Sequence, residues 1–233
     1  MEMSVWNHLD ELRSRLIRIV IALSVTTTLA FFGSDWMLAC LLKPFPSVHA
    51  TLTSLQPAGV FMQSMRLALI GGVVLALPVL VYQIWQFISP GLAPREIKAF
   101  VMSLYFGTLL FLIGACFAYF LVVPQALSFF WNYSRNLGVT PSWTIENYLN
   151  FVLMFLLSFG IAFELPLVLI LLVRFKIISP SFISSKRPHI IVTLAIVAAI
   201  LTPPDVISQL MLGIPLWLLF EISLYVSKLM YKE

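Results

Sequence analysis

The sequence predicts an all-α membrane protein with six transmembrane helices. Of its 233 residues 61% are hydrophobic, only 10% are charged, and the apolar residues form long segments. Soluble domains carry about 25% charged residues. The composition therefore excludes a soluble globular protein, a disordered chain and a nucleic-acid binder that depends on a basic surface. A transmembrane helix needs about 20 apolar residues, so roughly six spans use the length and predict a single membrane domain, residues 1–233.

The predicted spans follow one another with short polar separations, at residues 16–32, 67–88, 99–123, 149–173, 189–202 and 206–226. Each is expected to be helical, because a helix satisfies its backbone polar groups inside lipid. No small-residue cleavage site follows the first segment, so we interpret it as a retained span rather than a signal peptide. The fifth has about 14 residues, too few to cross a core of ~30 Å unaided. We therefore expect it to form a hairpin with the sixth span around Pro203, Pro204 and Asp205.

The distribution of Lys and Arg predicts the orientation of the chain. With a cytoplasmic N-terminus, eleven of the 14 Lys and Arg residues lie on cytoplasmic segments, and only Lys43, Arg66 and Arg135 lie outside. Positive residues accumulate on the cytoplasmic side of membrane proteins. Both termini are therefore predicted to be cytoplasmic. Two long outer loops, 33–66 and 124–148, are rich in aromatic residues and are predicted to lie on the outer leaflet.

Four prolines interrupt the apolar segments. Pro78 and Pro166 lie in mid-span, Pro124 closes the third span and Pro215 interrupts the sixth. Each removes a backbone N–H donor and bends its helix. Bent helices favour a curved wall, but transmembrane helices also tolerate proline for no functional reason. The pattern alone leaves both interpretations open.

Glu164 is the polar residue that most needs an explanation. It lies deep in the fourth predicted span, and no basic residue lies in a span at matching depth. An acidic residue at the centre of a transmembrane helix costs about 3 kcal/mol on insertion scales, and such residues mark functional sites by default. The structural alternative is a protonated carboxyl group that bonds another helix. Its neutral donors would be side chains such as Gln209, Thr202 or Ser208, or water.

Other acidic residues near the membrane have simpler interpretations. Asp205 precedes the sixth span, where a carboxylate caps a helix N-terminus. Glu221 lies near the cytoplasmic end of the same span and is expected to reach Lys228 or lipid headgroups. Glu11 and Arg15 have the i,i+4 spacing of an ion pair on a solvated helix that enters the membrane.

No motif in the sequence predicts enzymatic chemistry. The chain contains no P-loop, no zinc-protease helix motif and no serine-hydrolase elbow. The histidines, His8, His49 and His189, lie on separate segments. We therefore predict no catalytic residue, no metal site and no cofactor, and we expect any energy to come from a gradient or a partner.

Several further motifs follow one another along essentially the whole chain. They are His8-Leu9-x-Glu11-Leu12-Arg13, Pro78-x-x-x-Tyr82-Gln83-x-Trp85-x-Phe87-Ile88-x-Pro90, Phe117-Ala118-Tyr119-Phe120, Phe159-Gly160-x-x-Phe163-Glu164-x-Pro166, Lys186-Arg187-Pro188, Thr202-Pro203-Pro204-Asp205 with Gln209, and Phe220-Glu221-Ile222. In this order they resemble the motifs of a known family, TatC, the multispanning receptor subunit of the twin-arginine protein translocase. The chain departs from the family pattern after the loop glutamate Glu96, where Ile97 replaces a common basic residue.

The resemblance implies the fold and the principal binding site. It implies six helices that form a concave wall, of which the last two are short. It also implies that the cytoplasmic N-terminal segment and the first inner loop bind twin-arginine signal peptides. Carried over by motif, the acidic residues of that site are Glu11 and Glu96, and Arg13 and Phe87 belong to the same surface.

Within the membrane, the resemblance assigns Glu164 and Gln209 to contact with helices of single-span membrane proteins similar to TatA and TatB. We therefore predict a non-enzymatic receptor in the bacterial cytoplasmic (inner) membrane, part of an oligomeric complex in the lipid bilayer that exports folded proteins with the proton-motive force. The alternatives are a proton-coupled small-molecule transporter with Glu164 as its proton site, and an intramembrane enzyme. The absence of an internal repeat weakens the first, and the absence of a nucleophile weakens the second.

Overall fold

The structure, a computed structural model, describes residues 5–44, 52–88, 94–202 and 205–231. Within these ranges the helices are α1 (Val5–Phe32), α2 (Ser34–Leu42), α3 (Gly59–Ile88), α4 (Pro94–Phe117), α5 (Val123–Asn136), α6 (Ile145–Phe163), α7 (Leu165–Arg174), α8 (Pro180–Ser185), α9 (Arg187–Leu201) and α10 (Val206–Tyr231). Two short strands, β1 (Leu52–Thr53) and β2 (Trp143–Thr144), pair in parallel. Five helical stretches of the described residues are long and apolar enough to cross a membrane. The predicted all-α membrane fold is confirmed.

The last two spans differ in length. Helix α9 has 15 residues and is therefore about 22 Å long at ~1.5 Å per residue. Helix α10 has 26 residues and keeps Pro215 inside it. The short fifth span is thus present as predicted, whereas the sixth is a full-length helix. The Pro203-Pro204 turn of the predicted hairpin lies outside the described residues.

The third span continues beyond Pro124, where the sequence predicted that it would end. A π-helical turn, Ala118–Val122, follows α4 and leads directly into α5, which begins at Val123. Proline lacks an N–H and its ring clashes with the carbonyl four residues earlier in a regular helix, and a wider turn relieves that clash. The helical stretch therefore runs to Asn136, so much of the predicted outer loop 124–148 is helix.

The chain divides into two compact units, and the first comprises Met1–Cys40 and Gln56–Thr108. Its central feature is the packing of α1 along α3. At Gly72 the backbones approach so closely that a Cβ atom would lie 2.6 Å from the Cα of Thr27. Small residues permit such approaches between transmembrane helices. Farther along, the rings of Phe31 and Phe61 pack edge to face with centroids 6.4 Å apart.

The second unit comprises Leu41–Leu55 and Leu109–Glu233. Helix α10 packs against α7, α8 and α9, and the largest buried side chains include Phe155, Phe159 and Phe220. The Tyr148 hydroxyl donates to the Leu41 carbonyl at 2.7 Å, and β1 pairs with β2. The two segments predicted as separate outer loops are thus held together by hydrogen bonds.

Candidate functional site

A charged cluster joins α1 to α3 around the predicted receptor residue Glu11. Arg15 Nε donates to Glu11 Oε1 at 3.1 Å, and Arg15 Nη2 donates to the same oxygen. On its other side, Arg15 Nη1 donates to Gln86 Oε1 at 2.7 Å and Nη2 donates to the Gln86 carbonyl at 3.0 Å. Gln86 Nε2 in turn donates to the Tyr82 hydroxyl at 2.8 Å. The predicted Glu11–Arg15 pair is confirmed, and it continues into a network that the sequence did not predict.

The ion pair in this cluster is partly withdrawn from solvent. The side chains of Arg15 and Glu11 are only 13% and 25% exposed. Hydrogen bonds that involve ionised groups are stronger than neutral ones, and partial burial strengthens them further. Arg13, on the same helix, is exposed. The cluster therefore presents an organised carboxylate, and the same helix carries an accessible positive charge at Arg13.

Two predicted receptor residues are described only in part. Phe87 lies in α3 and Glu96 lies in the first turn of α4, but their side chains lie outside the described part of the structure. Both residues belong to the same compact unit as Glu11. Whether Glu96 faces the Glu11 cluster stays a prediction.

Glu164 lies at a break in the fourth span. It ends α6 and precedes α7, with its backbone at φ −72° and ψ −18°. Its N–H donates to the Ile161 carbonyl at 3.1 Å, which is a tighter turn than that of an α-helix. Pro166 occupies the first turn of α7 and cannot donate to the preceding turn. The half-buried Glu164 side chain is therefore attached where the helix is interrupted, and not within a regular apolar helix.

An aromatic cluster packs against the end of α6 beside this break. The Phe117 ring lies 5.8 Å from the Phe159 ring and 5.6 Å from the Phe163 ring, between centroids. Gly114 allows this packing, since a Cβ atom there would lie 2.5 Å from the Phe159 carbonyl oxygen. Residue 164 therefore follows a helix end that α4 holds tightly.

None of the three expected neutral donors bonds Glu164. Gln209 Nε2 donates to the Ala195 carbonyl at 3.2 Å and Thr202 Oγ1 to the Ala198 carbonyl at 2.8 Å. Ser208 Oγ has no hydrogen-bond partner among the described residues. These three side chains are therefore not the donors to the Glu164 carboxyl, and water, the other expected donor, stays a prediction. Thr202 thus bonds the α9 carbonyl four residues upstream, and Gln209 reaches α9 from α10.

Polar contacts also hold the ends of α9 and α10. Asp205 Oδ1 accepts from the Ser208 N–H at 2.7 Å, so the predicted helix cap is confirmed. Ser158 Oγ donates to the Leu201 carbonyl at 2.7 Å, and it satisfies an acceptor that the end of a helix leaves free. Gln209 thus lies on α10 just after a capped first turn, and it bonds α9.

Comparison with known proteins decides the family. A sequence profile described as Sec-independent protein translocase protein (TatC) matches residues 7–215. The chain belongs to the TatC family. It is 37% identical over 227 residues to TatC from Carboxydothermus hydrogenoformans, and the alignment covers 97% of this chain and 93% of that protein. It is 39% identical over 232 residues to TatC from Aquifex aeolicus, and the alignment covers 97% of this chain and 95% of that protein.

A solved structure supports the same assignment. The crystal structure of a twin-arginine translocase receptor, TatC, in DDM superimposes with a TM-score of 0.82 at 38% identity, and the match covers 94% of this chain and 99% of that one. As a TatC family member, the chain is a multi-pass membrane component of a protein translocase. It is a transport component of a complex.

An ion pair that the sequence did not predict links α9 to α10. Arg187 Nε donates to Glu221 Oε1 at 2.7 Å, and Arg187 Nη2 donates to Glu221 Oε2. Lys228 or lipid headgroups had been expected as the partner of Glu221. Both paired residues lie in the motifs that resemble those of the TatC family, but no helical spacing relates positions 34 residues apart. Only the packing of the two helices brings them together.

Proposed function

We propose that the chain is the signal-peptide receptor of a twin-arginine translocase in a bacterial inner membrane, with both termini in the cytoplasm. The observation that carries the proposal is the carboxylate of Glu11, which is partly buried and accepts two N–H bonds from a guanidinium group of its own chain. A carboxylate already organised for a guanidinium suits the arginine of an incoming peptide.

Two carboxylates are needed because the signal carries two neighbouring arginines. On an extended chain, successive side chains point to opposite sides. One carboxylate cannot bond both guanidinium groups well, whereas two on separate helices can. Glu96, in the first turn of α4, is the second acid that we propose, and Arg13 and Phe87 complete the surface. Arginine bonds a carboxylate through two parallel N–H donors, which lysine cannot do, and this favours arginine over lysine.

We propose Glu164 and Gln209 as contacts for the helices of single-span partners similar to TatA and TatB. The Glu164 carboxyl makes no hydrogen bond to any described residue, which supports a partner outside the chain. An interhelical hydrogen bond in a membrane contributes roughly 0.6–2 kcal/mol. That amount biases an assembly without making it permanent.

The receptor function is tested by binding of a labelled twin-arginine peptide to the purified full chain in lipid nanodiscs. Glu11→Gln and Glu96→Gln should each weaken binding at least ~10-fold, because each removes a charge-assisted pair. Asp10→Asn is the matched control, since Asp10 is an exposed carboxylate next to Glu11 on α1, and its effect should be small. Affinity should fall as salt rises. Equal affinity of wild type and both Gln variants would overturn the proposal.

Substitution of Glu164 separates partner recruitment from proton-coupled transport. Glu164→Gln keeps a hydrogen-bonding side chain and should retain most partner crosslinking and export, whereas Glu164→Ala should lose both while peptide binding persists. A proton-coupled transporter would fail equally with Gln and Ala, since an amide cannot carry the proton. Equal loss of crosslinking in the two variants would contradict the assignment of Glu164.

A further inference from the structure

The guanidinium of Arg15 makes four hydrogen bonds to two residues. Two go to Glu11 Oε1, and two go to the side-chain and backbone oxygens of Gln86. An arginine side chain has five N–H donors, so this group is almost fully engaged. Without a bound peptide, the Glu11 carboxylate proposed to bind a signal arginine therefore already accepts hydrogen bonds from Arg15.

We infer that Arg15 is an internal competitor for Glu11, and that a signal arginine binds by displacing the Arg15 guanidinium from that carboxylate. The inference rests on the proposed receptor function and deepens it, because it names a residue that sets the affinity and selectivity of the same site. Arg15 acts through Glu11 and is a selectivity residue rather than a part of the peptide-contacting surface.

Displacement follows from the geometry of the pair. A bidentate arginine–carboxylate pair uses both carboxylate oxygens, and Oε1 of Glu11 already accepts two N–H bonds from Arg15. A second guanidinium beside the first would also face like-charge repulsion in a site of reduced solvent exposure. The incoming arginine can therefore pair with both oxygens only after Arg15 has left.

Gln86 makes the displacement reversible. Its two oxygens belong to α3 and do not depend on Glu11, so Arg15 retains two of its four bonds after it leaves the carboxylate. The bond from Gln86 Nε2 to the Tyr82 hydroxyl orients the amide so that its oxygen faces Arg15. After displacement, Arg15 therefore keeps Gln86 as a hydrogen-bond partner, and its charge is not left unpaired in a partly buried position.

The competition also increases discrimination between arginine and lysine. A lysine ammonium is a compact point charge that does not match both carboxylate oxygens at once. Lysine therefore displaces Arg15, which donates two hydrogen bonds to Glu11, less effectively than a second arginine does. Without Arg15, both cations would bind a vacant carboxylate and the difference between them would shrink.

The test measures dissociation constants of a twin-arginine peptide and its twin-lysine counterpart for the full chain in nanodiscs, by fluorescence anisotropy. Arg15→Gln should tighten binding of both peptides, the twin-lysine peptide more, so that the arginine-to-lysine affinity ratio falls at least ~3-fold. Arg18→Gln is the matched control, because it removes the same charge from the exposed face of the same helix. It should change both affinities by the same factor and leave their ratio unchanged.

Two further variants keep the inference falsifiable. Arg15→Lys retains the charge but not the two hydrogen bonds from one guanidinium to Glu11. It should therefore give an intermediate arginine-to-lysine affinity ratio, even if Arg15→Gln folds poorly. Gln86→Leu removes the side-chain acceptor and keeps the backbone carbonyl. It should weaken peptide binding when Arg15 is present and have no effect when combined with Arg15→Gln. Weaker binding in Arg15→Gln and Arg15→Lys, or a ratio equal to that of Arg18→Gln, would overturn the inference and leave Arg15 as a support for Glu11. Failure of the receptor function itself would differ, since Glu11→Gln would then bind the peptide as wild type does.

Discussion

Replacement of Gly72 by alanine tests the close packing of α1 on α3. The added Cβ atom would lie 2.6 Å from Thr27 Cα and 2.7 Å from Thr27 N, both backbone atoms. Carbon atoms pack best at about 3.5–4.0 Å, so the helices must separate by about 1 Å. Overpacking costs about 1–3 kcal/mol, while alanine recovers up to about 1 kcal/mol of helix propensity. We expect a net destabilisation of about 1–2 kcal/mol.

Gly213→Ala is the matched control for this substitution. It is the same change inside a helix, but its Cβ atom would meet only Ala198 Cβ, at 3.9 Å, which is an ordinary contact. Only the gain in helix propensity remains there, so the variant should be as stable as wild type or up to about 1 kcal/mol more stable.

Thermal unfolding of the purified chain in detergent, at one heating rate, checks the comparison. One kcal/mol shifts Tm by about 2–4 °C for a chain of this size, so Gly72→Ala should melt roughly 2–8 °C below wild type. Gly72→Ala should also weaken peptide binding, because Arg15 and Gln86 meet across the same pair of helices. A Gly72→Ala protein that melts with wild type and Gly213→Ala would refute the reasoning.

Two other contacts give predictions of defined sign. Tyr148→Phe leaves the Leu41 carbonyl without its 2.7 Å donor and should lower the free energy of unfolding by about 1–2 kcal/mol. The exposed Tyr225, changed to Phe, should have no measurable effect on the same thermal scan. Arg187→Glu and Glu221→Arg should each destabilise the α9–α10 contact, and the double exchange should restore much of it, as crosslinking between cysteines introduced on the two helices would report. Failure of the double exchange to exceed either single variant would contradict the ion pair.

Local sequence spacing determined much of what the structure contains. The apolar segments were predictable because a bilayer requires long helices whose backbone groups are satisfied internally, and the short α9 followed from counting residues between charges and prolines. The Asp205 cap and the Glu11–Arg15 pair were predictable because each joins residues three or four apart on one helix. Glu164 stood out because an acid is costly inside an apolar span.

Tertiary structure decided the contacts between distant segments. Gln86 is 71 residues from Arg15, and Glu221 is 34 residues from Arg187, so no helical period links either pair. Pro124 predicted an end to the third span, but a π-turn before it accommodates the missing N–H and the helix continues. Spacing reports which side chains share one helix. Which surface of another helix they meet depends on packing, and at Gly72 that packing is set by the backbone atoms of α1.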